Sequence, residues 1–151
     1  MLEPKYFEME KKMYRLQAED SFDSAHFLAG YEGKCGNIHG HRWRVIVEVK
    51  TLSLIDEGQN RGMYVDFKQL KSDLKECTDY MDHALIIEQG SLKIKTMEAL
   101  WEENFRIVEV PFRPTAEHLS KYFYDKMEKM GYNMSSVTIY ETPNNCAIYS
   151  E

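Results

Sequence analysis

The sequence has few cysteines, no block of positive charge and no long hydrophobic run. Its three cysteines show no paired spacing, so we expect a reducing cytoplasm and no disulfide framework. A net charge of −6 without a basic cluster argues against nucleic acid or an anionic membrane as the main partner. No stretch approaches the roughly 20 apolar residues of a membrane-spanning helix, and residues 1–12 predict a polar leader without the apolar core of a secretory signal.

The remaining composition is typical of globular proteins, with 43% hydrophobic and 29% charged residues in a chain of 151. This length predicts one domain, residues 1–151, with a single sizeable core. An anionic small molecule is still compatible with the acidic net charge, because the local field at a binding site matters more than the total. The composition therefore excludes classes of partner without choosing a substrate.

Hydrophobic alternation predicts two long strands in the first third of the chain. Even positions over residues 14–22 are mainly apolar, and the positions between them are polar, which predicts a strand with one wet face. Asp20 breaks the apolar side and indicates a bend or bulge. Residues 42–50 alternate in the same way. Antiparallel pairing of these strands would bring together the histidines at their facing ends.

The rest of the chain predicts helices and further strands. Asp66 and Thr115 are expected to cap two main helices, with Gln69 as a capping-box partner of Asp66. Their apolar stripes are Phe67, Leu70, Leu74 and Cys77 in the first, and Ala116, Leu119, Phe123, Met127 and Met130 in the second. A short helix over 96–104, an extended piece over 105–112, and strands over 136–142 and 146–150 complete the pattern. This order predicts an α+β fold with a four-stranded antiparallel sheet and two main helices on one face.

Three histidines and a cysteine form the first candidate site. His39 and His41 lie two residues apart on an extended chain, so their rings share a face, and His26 ends the preceding strand. Three neutral imidazoles with an open fourth position are typical of a catalytic Zn²⁺ site. Cys35 would then be free to act as a base or nucleophile. The alternative is a closed structural site in which Cys35 is the fourth ligand.

Asp82, His83 and Glu141 are further candidates. An Asp beside a His can orient its ring, but adjacent residues rarely bond each other, so we expect this pair to contact Cys35 or a substrate. The alternative is a helix-end Asp next to a surface His. Glu141 shares a strand face with apolar residues, where it needs a partner such as the amidine-like edge of a ring. The alternative is a solvated strand end.

Six short motifs follow one another along most of the chain. They are FDSAH at 22–26, GKC at 33–35 followed by HGH at 39–41, VDF at 65–67, MDH at 81–83, PTAE at 114–117 and YET at 140–142. Together they resemble the 6-pyruvoyl-tetrahydropterin synthase superfamily. The three-residue gap between the cysteine and HGH is similar to that of the bacterial 6-carboxy-5,6,7,8-tetrahydropterin synthases of queuosine biosynthesis.

The resemblance implies a role for each candidate residue. It implies that His26, His39 and His41 are Zn²⁺ ligands and that Cys35 is the general base. Asp82 and His83 would complete a proton-relay group. Glu141 would anchor the pterin ring, and Thr115 would lie near the same pocket. The implied fold is the tunnelling fold (T-fold), in which subunit sheets join into a barrel and two trimeric rings stack as a homohexamer.

The implied activity is that of a zinc-dependent lyase. It would convert 7,8-dihydroneopterin triphosphate to 6-carboxytetrahydropterin, with release of acetaldehyde and triphosphate. Two alternatives are open: a 6-pyruvoyl-tetrahydropterin synthase or other dihydroneopterin-processing enzyme on the same fold, and a non-catalytic, zinc-stabilised oligomeric module. The stretch 88–113 is longer than a minimal family member needs. Lys34, Arg42 and Arg61 are cations near the candidate site, but none of them lies in a phosphate-binding motif.

Overall fold

The computed structural model describes residues 12–151, which form six β-strands and three α-helices. The predicted leader lies outside this range except for Lys12. In chain order the elements are β1 (Tyr14–His26), a 3-10 turn (Lys34–Gly36), β2 (His39–Thr51), α1 (Phe67–Met81), β3 (Leu85–Glu88), α2 (Ile94–Glu102), β4 (Ile107–Val110), α3 (Ala116–Lys129), β5 (Met134–Thr142) and β6 (Asn145–Tyr149).

The sheet is larger than the sequence pattern predicts. Its strand order is β4-β3-β1-β2-β5-β6, and β3 pairs parallel with both β1 and β4 while the other pairs are antiparallel. The α+β class is confirmed, but the four-stranded, wholly antiparallel sheet is wrong. Of the two additional strands, β4 lies within the extended piece predicted over 105–112, whereas β3 lies where no strand is predicted; each has four residues. Such short runs are too brief for alternation to distinguish a strand from a loop.

The pairing of β1 with β2 is continuous from Tyr14 opposite Thr51 to His26 opposite His39. The predicted bend or bulge at Asp20 is therefore wrong. The Asp20 carboxylate accepts a hydrogen bond from the Thr78 hydroxyl of α1 at 2.6 Å. Because this partner satisfies the carboxylate on the helix-covered face, the strand can continue without turning it outward.

Helices α1 and α3 cover one face of the sheet, where the main core lies. Alternate residues of β2 are fully buried there; they are Trp43, Val45, Val47 and Val49. Helix α2 packs its Met97 against Ile87 of β3, whose neighbour Ile86 belongs to the main core. Since successive strand residues point to opposite faces, α2 lies on the other face of the sheet, over β3.

The two main helices begin at the predicted caps. Asp66 accepts a hydrogen bond from the Lys68 amide at 2.8 Å, and Thr115 accepts one from the His118 amide at 3.3 Å. The predicted capping box is wrong, because the Gln69 amide instead donates to Asp73, one turn further along α1, at 2.9 Å.

The predicted apolar stripes are confirmed except at their ends. Phe67 and Met130 remain 51% and 39% exposed, because each stands at the end of its helix. Among residues 12–151, each helix is too short or too polar to cross a lipid bilayer.

Candidate metal centre

Three histidines meet where β1 ends and β2 begins; we call His26, His39 and His41 the histidine corner. His26 and His39 are direct partners in the strand pairing, and His41 is two residues further along β2 on the same face. One donor nitrogen from each ring lies within 4.8 Å of the others. The Nε2 atoms of His26 and His39 are 3.1 Å apart. The corner thus has the compactness of a metal site.

Two of the rings are oriented by backbone carbonyl groups. His26 Nδ1 is 2.7 Å from the carbonyl oxygen of Pro114, and His39 Nδ1 is 2.7 Å from that of Asn37. A carbonyl oxygen only accepts, so each Nδ1 carries the proton and each neutral ring presents a bare Nε2. Metal-binding histidines are commonly oriented in this way.

A cation fits this arrangement better than bare rings do. Two lone pairs facing each other at 3.1 Å repel, whereas two nitrogens on one tetrahedral Zn²⁺ at about 2.0–2.1 Å lie about 3.3 Å apart. His41 Nε2 is buried without a hydrogen bond, 3.5 Å from the nearer oxygen of Glu141. These side chains could hold an ion such as Zn²⁺, which three imidazoles suit.

Burial disfavours the charged form of two of the three rings. The pKa of His26 is lowered to about 4, chiefly by burial and also by the two neighbouring histidines, whereas the Pro114 carbonyl raises it. Burial also lowers the pKa of His41, although the nearby carboxylate of Glu141 raises it. Both shifts favour the unprotonated form of His26 and His41, which is the form that a metal ion requires.

Cys35 lies close along the chain but is not part of this donor group. Within residues 12–151, the side chains able to hold a metal together are the three histidines. Cys35 is half-buried in the 3-10 turn, and its carbonyl accepts a hydrogen bond from the Leu28 amide at 2.8 Å. Gly36 is required beside it, because a Cβ there would come within 2.6 Å of the Tyr31 carbonyl oxygen.

Asp82 and His83 form a pair at the end of α1. Contrary to expectation, they do bond each other: His83 Nδ1 donates to Asp82 Oδ2 at 2.7 Å. The other carboxylate oxygen, Oδ1, accepts from the Asp23 amide at 2.8 Å, and this bond is the main cause of a lowered Asp82 pKa. His83 has a left-handed backbone, with φ of 50°. The His83 ring is 79% exposed and lines an apolar cavity of about 550 Å³, which the histidine corner does not line.

Glu141 lies near the end of β5 and lines a cavity of about 410 Å³ together with His41. Arg42 and Arg44 also line this cavity, so its wall carries both signs of charge. As predicted from its strand face, the carboxylate is partly buried, with 29% of the side chain exposed, and it has a nearby partner in His41.

Thr115 acts as the cap of α3 and does not line the cavity of Glu141. Its neighbour Pro114 supplies the carbonyl that orients His26. The Arg113 side chain donates to the Ala29 carbonyl in the loop before Cys35. His118 Nδ1 is 2.8 Å from the Arg113 carbonyl oxygen. The PTAE motif thus contributes to the site mainly through its backbone.

Known proteins resemble this chain along almost all of its length. Residues 15–151 match the family model described as 6-pyruvoyl tetrahydropterin synthase. A 6-carboxy-5,6,7,8-tetrahydropterin synthase of Haemophilus influenzae is 35% identical over 142 residues, which cover 92% of this chain and all of that protein. A protein of the same name from Synechocystis is 30% identical over 139 residues, covering 91% of this chain and 93% of the relative.

Solved structures share the fold at lower identity. An uncharacterized protein from Wolinella succinogenes superimposes with a TM-score of 0.74 at 20% identity, over 93% of this chain and 99% of its own. The 6-pyruvoyltetrahydropterin synthase of Plasmodium vivax gives 0.69 at 18% identity, over 93% and 98% of the two chains. These similarities establish that the α+β sheet with its helices is the T-fold.

Proposed function

The chain belongs to the 6-pyruvoyl tetrahydropterin synthase family, and on that premise we propose that it is a zinc-dependent 6-carboxy-5,6,7,8-tetrahydropterin synthase. The proposed reaction converts 7,8-dihydroneopterin triphosphate to 6-carboxytetrahydropterin, releasing acetaldehyde and triphosphate, as a step in queuosine biosynthesis. A relative that carries this enzyme name and matches over its whole length supports the choice. We also propose a single-domain, cytoplasmic homo-oligomer built from trimeric rings, without nucleic-acid or membrane partners.

The observation that carries the proposal is the histidine corner. Its two facing Nε2 atoms have the spacing of ligands on one ion, and each Nδ1 is already occupied by a carbonyl group. Because Cys35 is not among the donors, the site would have three protein ligands and an open position, as catalytic zinc sites do. When bound, Zn²⁺ would supply Lewis-acid polarisation of substrate oxygens.

The proton transfers are assigned to side chains outside the donor group. Cys35, as a thiolate, would take a proton from the substrate side chain. Asp82 holds the Nδ1 proton of His83, which leaves Nε2 of that ring as the atom that can accept and return a proton. The carboxylate would also support the charged ring when it forms. Cys35, Asp82 and His83 together would constitute the proton-relay group.

The pterin ring is assigned to the cavity that Glu141 lines. A carboxylate can accept two parallel hydrogen bonds from a 2-amino-4-oxo pyrimidine edge, which fixes the ring in one orientation. The cavity of about 410 Å³ is within the size range of small-molecule sites. Thr115 is proposed to lie near the bound ring through the PTAE segment. We expect Glu141→Gln to raise KM at least about tenfold, whereas Glu57→Gln, an exposed glutamate outside this cavity, should leave KM unchanged.

Mass spectrometry of the products tests the reaction. Zinc-loaded protein incubated with 7,8-dihydroneopterin triphosphate should yield 6-carboxytetrahydropterin, and trapping with a hydrazine reagent should recover acetaldehyde. Zinc is quantified by elemental analysis in the same preparation, so that a loss of metal is not mistaken for a lack of activity. Fully loaded protein that leaves this substrate intact contradicts the proposal.

A second candidate follows from the description of the matching family model, which names 6-pyruvoyl tetrahydropterin synthase. That enzyme would leave a pyruvoyl group instead of a carboxylate at the six-position of the ring. The product mass separates the two outcomes in the same experiment, because only the carboxylate product is accompanied by acetaldehyde.

A further inference from the structure

The turn that joins α1 to β3 has a backbone that an L-residue adopts at a cost. His83 has φ of 50°, in the left-handed region where its Cβ is crowded by the backbone. Such conformations persist where surrounding contacts determine them, and they occur often at functional sites. The contacts that hold this turn therefore also determine where the His83 ring points.

Strand β1 supplies the first set of contacts. The His83 amide donates to the carbonyl oxygen of Asp23 at 2.6 Å, and the Asp23 amide donates to Asp82 Oδ1 at 2.8 Å. One residue of β1 thus holds both members of the pair. These bonds attach the turn to the sheet, but they leave the end of α1 itself to be fixed by other groups.

Arg106 supplies the second set, from the residue just before β4. Its Nη1 donates to the carbonyl oxygens of Asp82 at 2.6 Å and Asp79 at 3.3 Å, and its Nη2 donates to that of Tyr80. These carbonyls belong to the last turn of α1 and its cap, where intrahelical donors run out and the helix dipole is negative. The guanidinium group is therefore bound to the helix end by three acceptors.

The backbone of the same residue holds the other side of the turn. The Leu85 amide, at the start of β3, donates to the Arg106 carbonyl oxygen at 3.0 Å. Arg106 consequently contacts the chain both before and after Asp82 and His83. We name this set of four bonds the Arg106 clamp.

We propose that Arg106 is a positioning residue for the Asp82–His83 pair, fixing the turn so that the His83 ring keeps its Nδ1 bond to Asp82. The role in catalysis rests on the proposed function, in which this pair transfers protons; the clamp itself rests on the contacts above. Arg106 belongs to the long segment 88–113, so the proposal also assigns a function to this segment: it brings Arg106 to the end of α1. A planar guanidinium with five donors can bind three carbonyls at once, which an ammonium group cannot do in the same geometry.

The test compares R106A and R106K with R15A as the matched control. Arg15 is, like Arg106, an exposed arginine; it lies near the opposite end of β1 and forms an ion pair with Glu48 at 3.6 Å. Full-length, zinc-loaded proteins are assayed for kcat and KM with 7,8-dihydroneopterin triphosphate. In parallel, ring ¹⁵N spectra of His83 report which nitrogen carries the proton, and this readout is independent of turnover.

For R106A we expect kcat to fall at least tenfold with KM within twofold, and His83 to shift from the Nδ1-protonated form toward the Nε2-protonated form. R106K should show the same shift at smaller amplitude, and it decides the question if R106A does not fold. R15A should match the wild type in both readouts. If the His83 spectra of R106A match those of the wild type, the proposed positioning role of Arg106 is wrong. Where only R106K folds, the same result in that variant contradicts the proposal. If the wild type does not turn over this substrate, the proposed function fails and the spectra alone decide the clamp.

Discussion

The histidine corner lies at the end of the regular β1–β2 pair, with His26 buried and His39 and His41 partly buried, whereas the Asp82–His83 turn lies between a helix and a four-residue strand, with the His83 side chain exposed. In the first region, strand register alone brings His26 opposite His39, and two backbone carbonyls orient the rings. In the second, an unfavourable backbone conformation is held by a neighbouring strand and by a distant arginine. Regular strand pairing therefore positions the side chains of the histidine corner, whereas individual long-range hydrogen bonds position those of the Asp82–His83 turn.

The two regions should respond differently to substitution. Changes in the corner should remove the metal, and changes in the turn should leave the metal in place while slowing proton transfer. The four predictions below test this division, and they run from the largest expected effect to the smallest.

His39→Ala should remove metal binding and lower turnover at least about 10³-fold, since the Lewis acid contributes several kcal/mol to the transition state. His39 is preferred to His26 as a target because it is less buried, so the loss of its ring leaves a smaller cavity. Metal content is measured by elemental analysis. The matched control, His118→Ala, should retain the full metal content, and an equal loss in both variants would contradict the assignment of the corner.

Cys35→Ala should lower kcat by about 10²- to 10⁴-fold, the range for removal of a general base, while the metal stays bound. Kinetics and elemental analysis of the same samples check both parts. Cys146→Ala is the control, because this thiol is exposed on β6 and outside the candidate site. A loss of metal in the Cys35 variant would show that the thiol is a ligand and that the site is a closed, structural one.

Metal-free protein should lose stability as the pH falls from about 6.5 to about 4. Over this interval the unfolded chain protonates His26, whereas burial holds its pKa in the folded protein at about 4, so protons favour unfolding. The loss should reach about 3 kcal/mol at the acidic end, with no contribution from this group above pH 7. Urea unfolding after chelation measures it. His26→Asn should flatten this slope and His118→Asn should not; identical slopes would exclude His26 as the cause.

Asp82→Asn should have the smallest effect, a fall in kcat of about 10- to 100-fold with unchanged metal content. The amide can still accept from the Asp23 backbone, but it offers a donor where His83 Nδ1 now donates. The ring should therefore take its other tautomer, which ¹⁵N spectra detect. Asp125→Asn, at an exposed ion pair on α3, is the control. A variant with normal kcat would remove Asp82 from the proton-relay group.

The sequence predicts the histidine corner well because its geometry follows from alternation. Residues of equal parity on one strand share a face, and antiparallel pairing of two long alternating runs leaves little freedom in register. The same reasoning fails at Asp20, where parity indicates a break in the strand. The hydroxyl of Thr78, 58 residues away, donates a hydrogen bond to that carboxylate, and the local sequence pattern does not predict this partner.

The surroundings of the Asp82–His83 turn could not be predicted for a related reason. The strand β3 begins only two residues after His83, and its four residues carry no clear period. Arg106 acts through backbone oxygens, which have no sequence signature, and its position depends on the parallel pairing of β3 with β4. The local bond between Asp82 and His83 was not predicted either, since adjacent side chains rarely bond each other and the left-handed φ of His83 is rare outside glycine.

The pairing distances also carry a consequence for the order of folding. Strands β1 and β2 are joined by a twelve-residue connection. The other edge of β2 pairs with β5, whose residues lie roughly 90 positions further along the chain. Closing a short loop costs less entropy and is faster than closing a long one. The three imidazoles are thus brought together by a short-range strand pair, whereas the Pro114 carbonyl that orients His26 lies 88 residues further along the chain. We expect zinc to bind a partly folded chain, so that refolding with the ion present gains a faster initial phase in stopped-flow tryptophan fluorescence.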